Sequence, residues 1–337
     1  MKKIIEKAKF ADFVGTLLSD YEVFAPVKNE NGLVLFSRIS SPEEIFLDFR
    51  NSKKPPKEFL FPQVETLFEY EPGKVKVPSV EAIAQRRLFL CVRPCDVKSF
   101  LILDEVFDTE EFQDVYYVTR RRNTTILAMG CVDPPSTCFC TTFDEMGPFS
   151  REGADAFLVD IGDRFLIETL TERGESLPLE SLPDASDEDV QTAEDVEKKA
   201  VEKVDRKLEL SKLGEKLDGM FESPFWDALH EKCLTCGVCT YLCPTCHCFD
   251  ISDEALDSKG RRVRNWDSCM FPLFTLQASG HNPRPTSKER MRQRIMHKFN
   301  YFYKNYGVYA CVGCGRCVEN CPVNLDIRKV LEGILSL

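Results

Sequence analysis

The sequence has no apolar run approaching the ~18 residues a membrane-spanning helix needs, so no membrane span is expected. It has no G-x-G-x-x-G after a strand, no G-x-x-x-x-G-K-[ST] loop and no H-E-x-x-H helix. Those absences remove the usual marks of a dinucleotide site, a nucleoside triphosphate site and a catalytic zinc. Histidine is scarce, with four residues, and with the scattered carboxylates it forms no recognisable catalytic constellation. Positive charge is short as well: 44 Lys and Arg stand against 55 Asp and Glu, a net −11. That balance argues against a nucleic-acid protein. The opening residues Met1-Lys2-Lys3-Ile4-Ile5-Glu6-Lys7 carry charge where a signal peptide would be apolar, so the cytoplasm is the expected compartment.

Cysteine is what the chain has in excess, with 16 in 337 residues. A reducing compartment does not keep a disulfide framework of that size, and unliganded thiols are an oxidation liability. Metal ligation is the economical reading, and spacing tests it.

At this length two domains are expected. Residues 1–182 read as an α/β domain with Cys-rich loops. Leu88-Phe89-Leu90-Cys91-Val92 is a short buried strand by length and composition, and residues 124–129 are a second. Asp96 is expected to N-cap a helix over residues 97–107. Residues 154–161 and 164–170 flank Gly162-Asp163 as a hairpin. Residues 183–224 read as an acidic helical linker, with Ala193, Val196, Ala200, Val204 and Leu208 at helical spacing. Residues 225–337 show little strand signal and read as a mainly helical ferredoxin-like domain. The fold class is therefore mixed α+β.

Two segments decide the chemistry. Cys233, Cys236, Cys239 and Cys243 precede Pro244; Cys311, Cys314, Cys317 and Cys321 precede Pro322. Both are C-x2-C-x2-C-x3-C-P, the bacterial ferredoxin spacing for [4Fe–4S] clusters. Three thiolates three residues apart let one loop wrap a cluster, and the fourth leads away from it. Structural zinc pairs two C-x2-C units instead. Crossed ligation is expected: Cys233, Cys236, Cys239 and Cys321 on one cluster, Cys311, Cys314, Cys317 and Cys243 on the other.

These motifs, with Arg93-Pro94-Cys95-Asp96, Thr137-Cys138-Phe139-Cys140, Cys243-Pro244-Thr245-Cys246-His247-Cys248 and Trp266-Asp267-Ser268-Cys269, carry a family likeness. From about Leu88 onward the chain resembles the beta subunit of cytoplasmic sulfhydrogenases and, equally, the corresponding iron–sulfur subunit of anaerobic sulfite reductase. Related iron–sulfur subunits feed heterodisulfide reductase from flavin oxidoreductases. The resemblance implies an anaerobic electron-transfer subunit that relays single electrons. Its partners would be a flavin- and NAD(P)-binding subunit, which carries the FAD, and a catalytic redox subunit.

Eight cysteines remain. Cys95, Cys131, Cys138 and Cys140 fall near the ends of the two predicted strands, where ligand sites of parallel sheets gather, and could hold a third cluster. Cys91, inside an apolar run, is expected to be core packing. Cys246, Cys248 and Cys269 read as structural or incidental thiols or, with His247, as a further metal site, a replacement ligand or the reducible thiols of a reductase in its own right. Residues 259–304 hold eleven Lys and Arg against two acids; this reads as a basic docking face for an acidic subunit, the alternative being cations beside the clusters that stabilise their reduced form and raise their potential.

Overall fold

A computed structural model describes residues 1–143, 146–204 and 206–337. Among these, eleven strands run in chain order. They are β1 (Lys2–Glu6), β2 (Glu22–Lys28), β3 (Val34–Arg38), β4 (Val64–Glu71), β5 (Lys74–Lys76) and β6 (Arg87–Val92). Then follow β7 (Thr124–Met129), β8 (Ala156–Asp160), β9 (Arg164–Thr169), β10 (Phe249–Leu256) and β11 (Lys259–Trp266). Contacts divide the chain into two compact units, neither continuous in sequence. The first takes residues 1–60, 80–207 and 312–314, and the second 61–79, 208–311 and 315–337.

The first unit is built on a seven-stranded sheet in the order β1-β9-β8-β7-β6-β2-β3. Its middle pairs, β2–β6, β6–β7 and β7–β8, are parallel, and the outer pairs antiparallel. Every residue of β6 and β7 is buried. Parallel strands covered on both faces read as continuous apolar runs, which is why both were visible in the sequence. The hairpin expected about Gly162 is β8–β9.

Between Leu90 and Val92 the β6–β7 register shifts, and Cys91 there has φ of 61°. Cys91 is the extra residue of a bulge, fully buried against Leu88, Leu90 and Leu127. Its role is packing, and burial pushes its thiol up to about 12.

The helix after β6 starts earlier than expected. It spans Pro94–Phe107 with Arg93, not Asp96, as N-cap. Proline fixes the first-turn φ and needs no donor there, so Pro94 begins the helix and Asp96 lies buried in its first turn. The acidic helix spans Asp187–Glu202, opened by a Ser186–Asp189 capping box and ending before Leu208. It packs on β8 and β9, and Arg151 bridges its Glu197 at 3.1 Å.

The second unit holds a four-stranded antiparallel sheet, β10-β11-β4-β5. Its hairpin, β10–β11, is a correction to the strand-poor reading of residues 225–337. Charge pairs hid it: Asp253 faces Arg262 and Glu254 faces Arg261 across the ladder. Such opposite charges stabilise a sheet without an apolar alternation. Inside this sheet Arg264 pairs with Glu65 and lies 5.1 Å from the centre of the Phe61 ring. The principal helices of the unit are Ser287–Met296, continued by a π-helical stretch His297–Tyr301, and Ile327–Ser336. No helix among the described residues is long and apolar enough to cross a membrane.

Candidate iron–sulfur site

Cys233, Cys236 and Cys239 of the first motif and Cys321 of the second line one cavity in the second unit. The expected crossed set is thus brought together, with Cys317 also in its wall. Gly237 and Gly315, at the same step of each motif, have φ of 74° and 75°. A side chain at Gly237 would lie 2.8 Å from the Phe271 ring, so only glycine fits both the conformation and the space. Backbone amides point at the sulfurs: Thr235 N donates to Cys233 Sγ at 3.4 Å and Leu325 N to Cys321 Sγ at 3.2 Å. Hydrogen bonds of this kind to ligand sulfur raise a cluster's potential.

Two buried cations lie among the thiols. Arg294 is 4% exposed, and its Nε has no hydrogen-bond partner. Lys298 is 3% exposed, and its Nζ donates to Cys243 Sγ at 3.3 Å and to Ala310 O at 2.6 Å. Burial works against the charge on each. The sulfurs outweigh it and hold both bases above their ordinary values: Cys239, Cys317, Cys246 and Cys269 around Arg294, Cys243, Cys246 and Cys311 around Lys298. The π-helical stretch contains Lys298; such single turns re-aim side chains within a helix.

This overturns the docking-face reading of residues 259–304. Arg264, Arg290, Arg294 and Lys298 are buried. Arg261, Arg262, Lys288, Arg292 and Lys304 pair with Glu254, Asp253, Asp227, Glu222 and Asp218. The charge serves the interior and local ion pairs.

In the first unit, Cys95, Cys131, Cys138 and Cys140 line a single cavity together with Arg50, Arg93 and Cys314. Residues 312–314 form its strap: Phe139 N donates to Gly313 O at 2.9 Å, and Asn51 Nδ2 to Cys314 O at 3.3 Å. Gly313 has φ of 61°, and a Cβ there would stand 2.6 Å from the Cys140 backbone. Arg93 is 4% exposed. It donates to Gly130 O at 2.6 Å and to Phe49 O, while its Nε lacks a partner. Burial pushes the Cys140 thiol up to about 12, with Cys131 adding to it, and burial raises Cys131 as well. Deprotonation of such thiols falls to a bound metal.

Each cavity therefore pairs five cysteines with a buried guanidinium whose Nε is unanswered. A desolvated cation of that kind needs an anion, and a thiolate-ligated iron–sulfur cluster carries net negative charge. The residues fit the group. Arg294 and Lys298 stand in the basic stretch as candidate cluster cations, but the stretch does not say which of its eleven cations turn inward; Arg93 is visible only as part of the Arg93-Pro94-Cys95-Asp96 run. Among the described residues no three His, Cys, Asp or Glu side chains close on a single metal ion.

Cysteine cavities of this make define an iron–sulfur protein. The family model of a 4Fe-4S dicluster domain matches residues 232–325, a span that contains all eight motif cysteines. The chain is 34% identical over 329 residues to the sulfhydrogenase 2 subunit beta of Pyrococcus furiosus, covering 96% of each chain. No solved structure matches it. The chain is an iron–sulfur electron-transfer subunit, and it belongs to the sulfhydrogenase beta-subunit family.

Proposed function

We propose that the chain relays single electrons within a cytoplasmic, anaerobic oxidoreductase complex. One partner is a subunit that binds FAD and NAD(P). The other is a catalytic redox subunit of hydrogenase, sulfite reductase or heterodisulfide reductase type. Bound clusters supply one-electron steps between a hydride donor and the terminal chemistry. The chain's own residues set burial, charge and spacing for them.

The observation that carries the reading is the placement of Arg294 and Lys298. Two cations buried among thiols of both motifs favour the extra negative charge each accepted electron brings. Tagged chain recovered anaerobically from its own cells should bring a flavin-containing subunit with it. NADH or NADPH added to that assembly should reduce the clusters, with electron paramagnetic resonance (EPR) signals growing in one-electron steps. Recovery with no flavoprotein, or clusters that no pyridine nucleotide reduces through it, would reject the relay.

We also propose ligand sets. The motif clusters take Cys233, Cys236, Cys239 and Cys321, and Cys311, Cys314, Cys317 and Cys243. A third cluster takes Cys95, Cys131, Cys138 and Cys140. The orphaned Nε of Arg93 beside that last cavity supports it, as does the cavity's likeness to the one in the second unit. Because residues 312–314 wall the cavity, the test uses the full chain. Replacing Cys131 and Cys140 together by Ala should lower the iron content by about four atoms per chain and leave the motif signals in place. Iron unchanged from the parent would reduce the four cysteines to packing.

A further inference from the structure

Cys248 and Cys269 belong to neither ferredoxin motif, and strand register brings them together. Phe249 pairs with Trp266 at the end of the β10–β11 ladder, and just beyond it Asp267 N donates to Cys248 O at 3.0 Å. Cys269 follows two residues later, and its thiol is hydrogen-bonded to the side chain of Cys248. Neither is in a disulfide. Contact of this kind is foreign to a [4Fe–4S] cluster, whose four ligand sulfurs each hold a different iron. The third side chain that a single ion needs is missing too: among the described residues no three His, Cys, Asp or Glu side chains could hold one. Two touching thiols of this sort are the reduced half of a dithiol–disulfide couple.

The pair faces a cavity of about 320 Å³ in the second unit, within the range of small-molecule sites. Among the described residues no carboxylate lines it, and its cations are Arg284, Arg294 and Lys298. Lys298 is turned toward Cys243 and Ala310. Arg294 is buried with its Nε unpartnered, whereas Arg284 is half-buried. The positive field is felt by His297 in the same wall: burial first, then Lys298 and Arg284, hold its pKa down to about 4. A cleft lined by one sign of charge gathers ligands of the other, so the ligand this wall accepts is an anion. Arg294 also lines the cavity of Cys233, Cys236, Cys239 and Cys321. One guanidinium is therefore common to the wall of the thiol pair and the wall of the first-motif site.

We propose that Cys248 and Cys269 are a redox-active dithiol that reduces small organic disulfides carrying negative charge, and that the relay restores it. The Cys248 thiolate attacks one substrate sulfur. A Cys248–substrate disulfide forms, the substrate's own S–S bond breaks, and one thiol leaves with the proton Cys248 gave up. Cys269 then attacks Cys248 Sγ, the protein disulfide forms, and the second thiol leaves with the Cys269 proton. The bond to Cys248 and burial raise the Cys269 thiol well above its ordinary value, which makes Cys248 the attacking sulfur and Cys269 the resolving one. The substrate gains two electrons and two protons, and the dithiol loses them. Two electrons delivered singly through the relay, with two protons from water, return the pair to thiols.

The return of electrons rests on the relay reading and the thiol pair does not, so the test separates them. The full chain, purified without oxygen, is treated with dithiodiglycolate, a dianion, or with cystamine, a dication. Remaining thiols are then alkylated and the peptides mapped by mass spectrometry. The dianion should produce a Cys248–Cys269 cross-link and release two thioglycolates per cross-link, with the iron and the motif EPR signals intact. Cystamine should react roughly tenfold more slowly, because the cationic wall repels it. Cys248→Ser should form no cross-link and keep the parent's iron and motif signals. Arg284→Glu should erase the preference for the dianion. A parent in which both cysteines are alkylated after treatment would overturn the proposal, as would iron or zinc missing from Cys248→Ser. Equal rates for the two probes would overturn the anionic assignment. Should Cys248→Ser fail to fold, the parent cross-link and Arg284→Glu decide. NADH or NADPH added to the chain recovered with its flavin-containing partner should convert the cross-link back to two thiols. A cross-link that forms but stays oxidised would sink the relay and leave the dithiol standing.

Discussion

Cys321→Ala is expected to destroy the cluster of the first motif while the cluster of its own motif survives. Cys321 lines the cavity of Cys233, Cys236 and Cys239, and Leu325 N bonds its sulfur there. Each thiolate holds one corner iron of a [4Fe–4S] cluster, so its loss should abolish that cluster's [4Fe–4S] signal and lower the iron by between one and about four atoms per chain. Cys236→Ala should give the same residual EPR spectrum as Cys321→Ala. Cys314→Ala and Cys243→Ala should share a different one. Uncrossed ligation would pair Cys321 with Cys314 and Cys236 with Cys243 instead, so the grouping of the four spectra decides between the two. Loss of a whole cluster's signal makes this the largest effect expected from any single side chain.

Lys298→Met should lower the potential of the cluster that uses Cys243 and leave the first-motif cluster nearly unchanged. Lys298 Nζ sits 3.3 Å from Cys243 Sγ and is buried. The sign follows from charge, because an accepted electron is stabilised by a nearby cation and loses that help when the cation goes. A unit charge at about 4 Å is worth roughly 4 kcal/mol at an effective dielectric near 20. Partial screening reduces this toward ~1.4 kcal/mol, so the shift should fall between roughly 60 and 180 mV for a one-electron couple. Lys298→Arg keeps the charge and should shift the potential much less. A potentiometric titration followed by EPR checks both. An unmoved or raised potential in Lys298→Met would remove the lysine from the electrostatics of the site. Stability of the metal-free chain should not suffer in step, since replacing a buried charge by an isosteric apolar group is often neutral or stabilising.

The parts of the molecule visible in the sequence are those whose physics is local. β6 and β7 are short runs buried on both faces, so composition alone marks them. The ferredoxin motifs are visible because one loop wraps one cluster, which fixes ligand spacing along the chain. The hairpin β10–β11 was not visible, because cross-strand ion pairs replace the apolar alternation that marks a strand. Cations beside the clusters were legible as a possibility, but not which of them are buried. Arg294 follows Arg290 and Arg292 in a helix, and nothing in that run says which guanidinium turns inward. Cys246, Cys248 and Cys269 could be counted but not placed. Their convergence depends on the register of two strands and on Asp267 N reaching Cys248 O.

The strap of residues 312–314 also governs how the protein matures. Cys138 and Cys314 meet across 176 positions of sequence, so the wall of the cavity in the first unit leaves the ribosome long after the sheet beneath it. Chains generally fold from the N-terminus in units as synthesis proceeds. Here the nascent seven-stranded sheet would wait with four thiols exposed to water until the second motif arrives. The strap would therefore close only on a nearly finished polypeptide, after the second motif has left the ribosome.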